Sequence, residues 1–200
     1  MRRYSVKEID ELAEVLKNDG VISVPTDTVY GVCARMDHET AQERLREVKQ
    51  RPKDKAFPIM CASRTQIETV AEVDERAGKL IDALMPGPVT LILRKKAEIP
   101  AFVNGGMDTL AVRMAPGEAV RELIERTGVP LYMTSANRSG EKTCTTLDEI
   151  ENACPLLDGM LEGETQFGAA STIIDCTQAE IKILREGPAG WDDIRKALLQ

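Results

Sequence analysis

The sequence predicts an α/β fold, a twisted mixed parallel/antiparallel sheet flanked by helices. Three observations predict it. Segments with apolar residues at helical spacing alternate with short apolar runs bounded by Pro, Gly and polar turns. Two pairs of strand-like runs, 89–93 with 110–113 and 171–175 with 181–184, follow one another with no helix between them, which favours antiparallel pairing. The chain has 200 residues, 42% hydrophobic and 30% charged, with no internal repeat, low-complexity segment or linker, so one domain over 1–200 is expected.

The elements follow in order. Ser5 and Glu8 form a capping-box pair ahead of Ile9, Leu12, Val15 and Leu16 on one helical face, and Gly20 ends that helix. Val21–Val24 is a short apolar run stopped by Pro25, read as a strand. A helix is expected over Thr40–Lys49, with Ala41, Leu45 and Val48 on one side, and another from about Asp74 to Leu84, ended by Pro86-Gly87-Pro88. Strands at 89–93 and 110–113, a helix over Glu118–Thr127 and a strand over Pro130–Thr134 come next. Thr146 and Glu149 repeat the capping-box pattern before a short helix ending near Pro155. Strands at 171–175 and 181–184 lead to a closing helix over Trp191–Leu199.

Charge and residue counts exclude several functions. Net charge is −7, so bulk attraction of nucleic acid is not expected and any polyanion site must be local. The lone histidine, His38, precedes a helix in a polar loop and suits capping or solvent exposure; Ser-His-Asp chemistry and multi-histidine metal sites have almost nothing to build on. Five scattered cysteines, with no C-x-x-C pair, read as buried thiols in a reducing compartment. Met60 and Cys61 read as core. The N-terminus carries no leader-like apolar region and no stretch approaches membrane-spanning length, so a cytoplasmic location is expected.

P-loop and dinucleotide-binding glycine motifs are missing, but four other stretches carry chemistry. Pro25-Thr26-Asp27-Thr28-Val29-Tyr30-Gly31 puts two hydroxyls and a carboxylate at a strand's carboxyl end, where open α/β sheets bind ligands; a plain polar turn is the structural alternative. Lys49-Gln50-Arg51-Pro52-Lys53-Asp54-Lys55 holds four cations that suit a polyphosphate. Helix C-terminal charge compensation accounts for Lys49 and Arg51, but not for the cations beyond Pro52. Thr134 to Gly140 offers small hydroxyl and amide groups after a strand, and Ser171–Asp175 with Arg185 adds a hydroxyl-led strand and a late arginine.

In this order these stretches resemble the YrdC-like threonylcarbamoyl-AMP synthase family in its short, single-domain form. P-T-D-T-V-Y-G at 25–31, K-x-R-P at 49–52, P-G-P-x-T at 86–90, D-T-x-A-V-R at 108–113, S-A-N-x-S-G at 135–140 and S-T-I-I-D at 171–175 cover about Val21 to Pro188. The resemblance implies a YrdC-like fold around a deep electropositive cavity. It implies an L-threonylcarbamoyladenylate synthase, in which L-threonine and bicarbonate give a carbamate that attacks the α-phosphate of ATP. Threonylcarbamoyl-AMP and pyrophosphate result. A separate transferase complex then carries the threonylcarbamoyl group to the tRNA adenosine beside the anticodon. ATP enters with Mg²⁺ as substrate, and no tightly bound protein-liganded metal is expected.

Residue by residue, the resemblance assigns Thr28, Arg113 and Ser171 to threonine. It assigns Arg51, Lys55, Thr109, Ser135, Asn137, Thr143 and Arg185 to ATP, with Lys49 and Arg51 as the catalytic pair of K-x-R. The chain departs from the family at three places. Met60 stands where many relatives carry histidine, Pro116 comes one place late after Arg113 of the D-T-x-A-V-R motif, and Ala170 precedes Ser171. Two other functions stay open at this point: a double-stranded-RNA-binding module with direct RNA contact, and a paralogue with the fold but without synthase activity.

Overall fold

The computed structural model describes residues 1–115, 117–165 and 169–200. Ten strands, β1 (Arg3–Tyr4), β2 (Ile22–Val24), β3 (Gly31–Arg35), β4 (Ile59–Cys61), β5 (Val89–Arg94), β6 (Thr109–Met114), β7 (Leu131–Ser135), β8 (Gly159–Leu161), β9 (Thr172–Asp175) and β10 (Lys182–Arg185), form one sheet. Its order is β1-β8-β2-β3-β7-β4-β6-β5-β9-β10. Parallel and antiparallel neighbours mix, as expected. Both expected antiparallel pairs form, with Leu91 opposite Val112 and Ile174 opposite Ile183.

Among the described residues seven helices complete the fold: α1 (Ile9–Lys17), α2 (Glu39–Lys49), α3 (Arg64–Val70), α4 (Glu75–Leu84), α5 (Glu118–Thr127), α6 (Leu147–Ala153) and α7 (Trp191–Leu198). Local chemistry sets their ends. Glu8 reaches back to the Ser5 backbone N–H at 2.9 Å, and a 3₁₀ turn over Val6–Glu8 leads into α1. The Asp74 carboxylate accepts from Ala77 N at 2.8 Å and opens α4, while the Thr146 hydroxyl accepts from Glu149 N at 3.2 Å and opens α6.

Strand alternation sorts the core onto two faces. On one face Val32, Ile59, Leu91, Val112 and Ile174 pack with Leu45 of α2, Ile81 of α4 and Ile194 of α7. On the other, Leu12 and Leu16 of α1 and Leu123 and Ile124 of α5 cover Val24, Cys33, Met60 and Leu131. Met60 and Cys61 are buried on opposite faces, and all five cysteines are buried and free.

That second face is covered over only part of its width. The register pairs Met60 with Arg113, Ile92 with Ala111 and Thr90 with Ile173, which puts Thr90, Ile92, Ala111, Arg113 and Ile173 on the face that α1 and α5 share. Here no helix packs among the described residues, and these side chains line a cavity instead.

Candidate active site

The cavity encloses about 580 Å³, within the range of small-ligand sites. Its floor is β4, β5, β6, β7 and β9, and its rim is made by the loops that carry the sequence motifs. Nine of the eleven residues assigned from sequence line it: Thr28, Arg51, Thr109, Arg113, Ser135, Asn137, Thr143, Ser171 and Arg185. Lys49 and Lys55 do not.

The loop between β2 and β3 is organised by Thr26. Its Oγ1 accepts from the backbone N–H groups of Thr28 and Val29, each at 3.2 Å, and donates to the Val29 carbonyl at 2.5 Å. This turn aims Thr28 and Asp27 at Arg113, which rises from the end of β6. The Arg113 guanidinium donates to Thr28 Oγ1 at 3.0 Å, to the Gly87 carbonyl at 3.1 Å and to Asp27 Oδ1. The Asp27 and Arg113 side chains are only 6% and 8% exposed. Burial lowers the Arg113 pKa, with the Asp27 charge acting against it.

A second group lies beside it. Thr90 Oγ1 and Ser171 Oγ are 2.8 Å apart, and Arg185 donates to the Ser171 carbonyl at 2.9 and 3.0 Å and to its hydroxyl at 3.2 Å. Burial lowers the Arg185 pKa as well. Arg185 and Thr90 thus both hold Ser171.

The K-x-R motif divides at the end of α2. Gln50 takes the left-handed conformation, φ 48° and ψ 44°, and breaks the helix between the two cations. Lys49 is turned inward, 1% exposed, and its ammonium donates to the Ser135 carbonyl and to Asn137 Oδ1 at 3.1 Å. Burial pushes its pKa down to about 8. Arg51 is turned into the cavity wall. It lies with Arg46 against the Phe57 ring, each guanidinium carbon 5.0 Å from the ring centre, and donates to the carbonyls of Lys55 and Ala56 at 3.2 and 2.6 Å. Burial, then the neighbouring Arg46, lowers the Arg51 pKa.

Lys49, assigned to the catalytic pair, is buried behind the loop after β7 and does not line the cavity. Lys55 is exposed, and its carbonyl rather than its ammonium holds Arg46 and Arg51. His38 stands before α2, with Nδ1 2.8 Å from Asp19 Oδ1, away from the cavity lining. Met60 takes up wall space at the position where many relatives were expected to carry histidine. Pro116 lies outside the described residues.

The wall holds Arg51, Arg113 and Arg185 against one carboxylate, Glu141, in a chain of net charge −7. The sequence offered Thr26 and Asp27 only as part of a candidate ligand-binding turn, and gave no individual role to them, to Thr90 or to Asn104. The first three lie inside recognised motifs, so position within a motif was the available signal. Asn104, in a 3₁₀ turn after Pro100, carried none. Among the described residues no group of three or more His, Cys, Asp or Glu side chains is arranged to hold a metal ion.

The family model Sua5/YciO/YrdC, described as telomere recombination, matches residues 14–187. A threonylcarbamoyl-AMP synthase from Pyrococcus abyssi is 36% identical over 189 residues, covering 93% of this chain and 56% of that protein. One from Klebsiella pneumoniae is 38% identical over 156 residues, covering 74% of this chain and 82% of its own length. The crystal structure of P. abyssi Sua5 complexed with L-threonine superposes with a TM-score of 0.91 at 33% identity, covering 98% of this chain and 60% of that one. The chain thus spans little more than half of its P. abyssi relative and most of the Klebsiella one. With the motifs gathered on one cavity and the family model matching most of the sequence, the chain belongs to the Sua5/YciO/YrdC family.

Proposed function

We propose that this protein is an L-threonylcarbamoyladenylate synthase, an ATP-dependent nucleotidyltransferase. One observation carries the reading: motifs spread from residue 25 to residue 185 converge on one cavity, with an arginine–threonine pair at one place and, elsewhere, arginines that have no carboxylate partner among the described residues. Threonine sits with its carboxylate on Arg113 and its polar groups toward Thr28 and Ser171. ATP lies along Arg51, Ser135, Asn137, Thr143, Thr109 and Arg185. Lys55, outside the wall, meets the triphosphate only from the rim.

The chemistry follows from this placement. The threonine amine adds to the carbon of bicarbonate with loss of water, giving a carbamate. A carbamate oxygen attacks the α-phosphorus of ATP, the bond to the bridging oxygen breaks, and pyrophosphate leaves. Mg²⁺ arrives with ATP. Holding both reactants in one cavity makes the attack effectively unimolecular. Fixed guanidinium groups stabilise the charge that gathers on phosphorus and on the leaving group. Neither step needs histidine. The product passes to a separate transferase complex that modifies tRNA.

The test is direct. The purified chain is incubated with ATP, Mg²⁺, bicarbonate and L-threonine, and pyrophosphate is followed. Threonine-dependent release, with a threonylcarbamoyl-AMP product, is expected. Release that ignores threonine, or none, would refute the reading and favour a fold-sharing paralogue.

A further inference from the structure

The three cavity arginines differ in their partners. Arg51 donates to two backbone carbonyls, and Arg185 to a carbonyl and a hydroxyl. Neither has a carboxylate within ion-pair distance among the described residues, so each presents nearly a full positive charge to the cavity. Arg113 alone is paired, with Asp27, in the one ion pair among the described residues whose side chains are both less than a tenth exposed. Within that pair, Asp27 Oδ1 meets the guanidinium while Oδ2 is buried with no hydrogen-bond partner.

This is a costly arrangement. A buried ion pair rarely adds net stability, and a buried polar atom left unpaired subtracts from it. The contact to Arg113 uses a single acceptor, which the amide oxygen of asparagine would supply equally well. What the carboxylate adds beyond asparagine is its negative charge. That charge cancels the Arg113 charge while leaving the guanidinium N–H groups in place as directional donors.

Resting on the synthase reading above, we propose that Asp27 is a specificity-determining residue that sorts anions within the cavity. By neutralising Arg113 it makes that end suited to the carboxylate of a zwitterionic amino acid and poor for a phosphate group. Polyanions are directed to Arg51, which has no carboxylate within ion-pair distance among the described residues. Without this division the three arginines would compete for the same phosphates, and ATP would block the amino-acid end.

The test measures L-threonine binding by calorimetry on the full chain, with and without inorganic phosphate as the probe. In the wild type, phosphate is expected to leave threonine affinity unchanged and to inhibit turnover competitively against ATP only. In Asp27→Asn, phosphate is expected to compete with threonine and weaken its apparent affinity about tenfold, since one uncompensated charge now faces the ligand. Asp27→Glu restores the charge and is expected to restore insensitivity, which a merely structural role would not require. Threonine affinity that stays phosphate-independent in Asp27→Asn overturns the proposal. Phosphate competition against threonine in the wild type overturns it without any variant, should Asp27→Asn fail to fold. A wild type that binds phosphate but no threonine overturns the synthase reading and this inference together. One that binds threonine but shows phosphate competition overturns this inference alone.

Discussion

Lys49 and Asn137 meet behind the cavity wall. The Lys49 ammonium donates to Asn137 Oδ1 at 3.1 Å, the Ser135 hydroxyl donates to the same oxygen at 2.6 Å, and Asn137 Nδ2 is held by the carbonyls of Arg138 and Glu141 at 2.7 and 2.9 Å. The amide is locked in one orientation, and the Lys49 backbone carbonyl accepts from Ser139 N at 2.8 Å to close the loop. Lys49 thus holds the Ser135–Asn137 segment from behind the cavity wall.

The buried ammonium gives a pH signature. Its pKa in the folded chain is about 8, below the roughly 10.4 of an unfolded lysine. Between those values the unfolded state binds more protons, so the Lys49 contribution to stability rises with pH across that window and is flat below it. Thermal or denaturant unfolding of wild type and Lys49→Met is compared near neutral pH and near pH ~10. The difference should move in favour of wild type by roughly 2 kcal/mol over that range. A difference that stays constant would show that the ammonium keeps its solution pKa.

Arg51 stands on the proposed phosphate path and also holds a loop. Replacing it with Ala removes a bidentate donor from the proposed phosphate path, and a loss of about 2–4 kcal/mol in transition-state stabilisation, on the order of 10²–10³ in turnover, is expected. It also strips donors from the Lys55 and Ala56 carbonyls and the stacked contact on Phe57, so stability should fall by about 1 kcal/mol. Arg51→Lys should recover little of the activity, because the planar fork is lost. Melting temperature and threonine-dependent pyrophosphate release measured on one sample separate the two effects. Full activity per folded molecule in Arg51→Ala would remove it from the site.

Much of the fold and site was legible in the sequence, for identifiable reasons. Elements with an amphipathic face or a clear stop, such as α1 with its Ser5–Glu8 pair and α5 ended by Gly128, announce themselves locally. β4 and β8 have three residues each and no alternation of their own, and α3, seven residues after Ser63, carries only Ile67 and Val70 into the core. These elements exist because neighbouring strands pair with them or the core accepts them, which a local pattern does not encode. The same limit governed the site. The motif positions were visible, but the turn at Gln50 that sends Lys49 behind the wall and Arg51 onto the cavity is a backbone property with no residue signature, since Gln seldom adopts φ above zero.

Thr90 tests a residue the sequence did not single out. Its hydroxyl is 2.8 Å from Ser171 Oγ, and both side chains are buried. Thr90→Val keeps the shape and leaves Ser171 with Arg185 alone to orient it. KM for threonine should rise about 3–10-fold, in line with the loss of roughly 1 kcal/mol from one buried hydrogen bond, while KM for ATP stays within about twofold. Equal effects on both substrates would place Ser171 outside the threonine end.

Duplex RNA discriminates the other class of function. The cations that matter here face a cavity rather than an open stripe, and the chain as a whole carries −7. Binding to duplex RNA at physiological salt should be weak, in the ~10⁻⁴ M range or poorer, and lost on adding salt. Tight binding without threonine-dependent pyrophosphate release would reverse the choice of function.

Gly187 is required by close approach rather than by its backbone angle. A Cβ there would lie 2.5 Å from Thr172 N, 2.6 Å from the Ala170 carbonyl oxygen and 2.7 Å from the Ser171 carbonyl carbon. All three are backbone atoms that no rotamer change can withdraw. Thr172 N is itself bound to the Pro88 carbonyl at 2.8 Å, so the strand cannot slide freely. Gly187→Ala must therefore push the Ala170–Thr172 backbone, and with it Ser171 and its contacts to Thr90 and Arg185. A stability loss of about 1–3 kcal/mol is expected from this overpacking. Threonine affinity should fall further than ATP affinity, because Ser171 moves while Arg51 and Asn137, on the far side of the cavity, do not. Gly190→Ala, three residues on, is the control: nothing lies within 4 Å of its Cβ, and only the weaker helix start at α7 should register, at less than about 1 kcal/mol. If Gly187→Ala melts like the control and binds threonine like the wild type, the backbone beside Ser171 yields freely and the rigid placement of that serine is wrong.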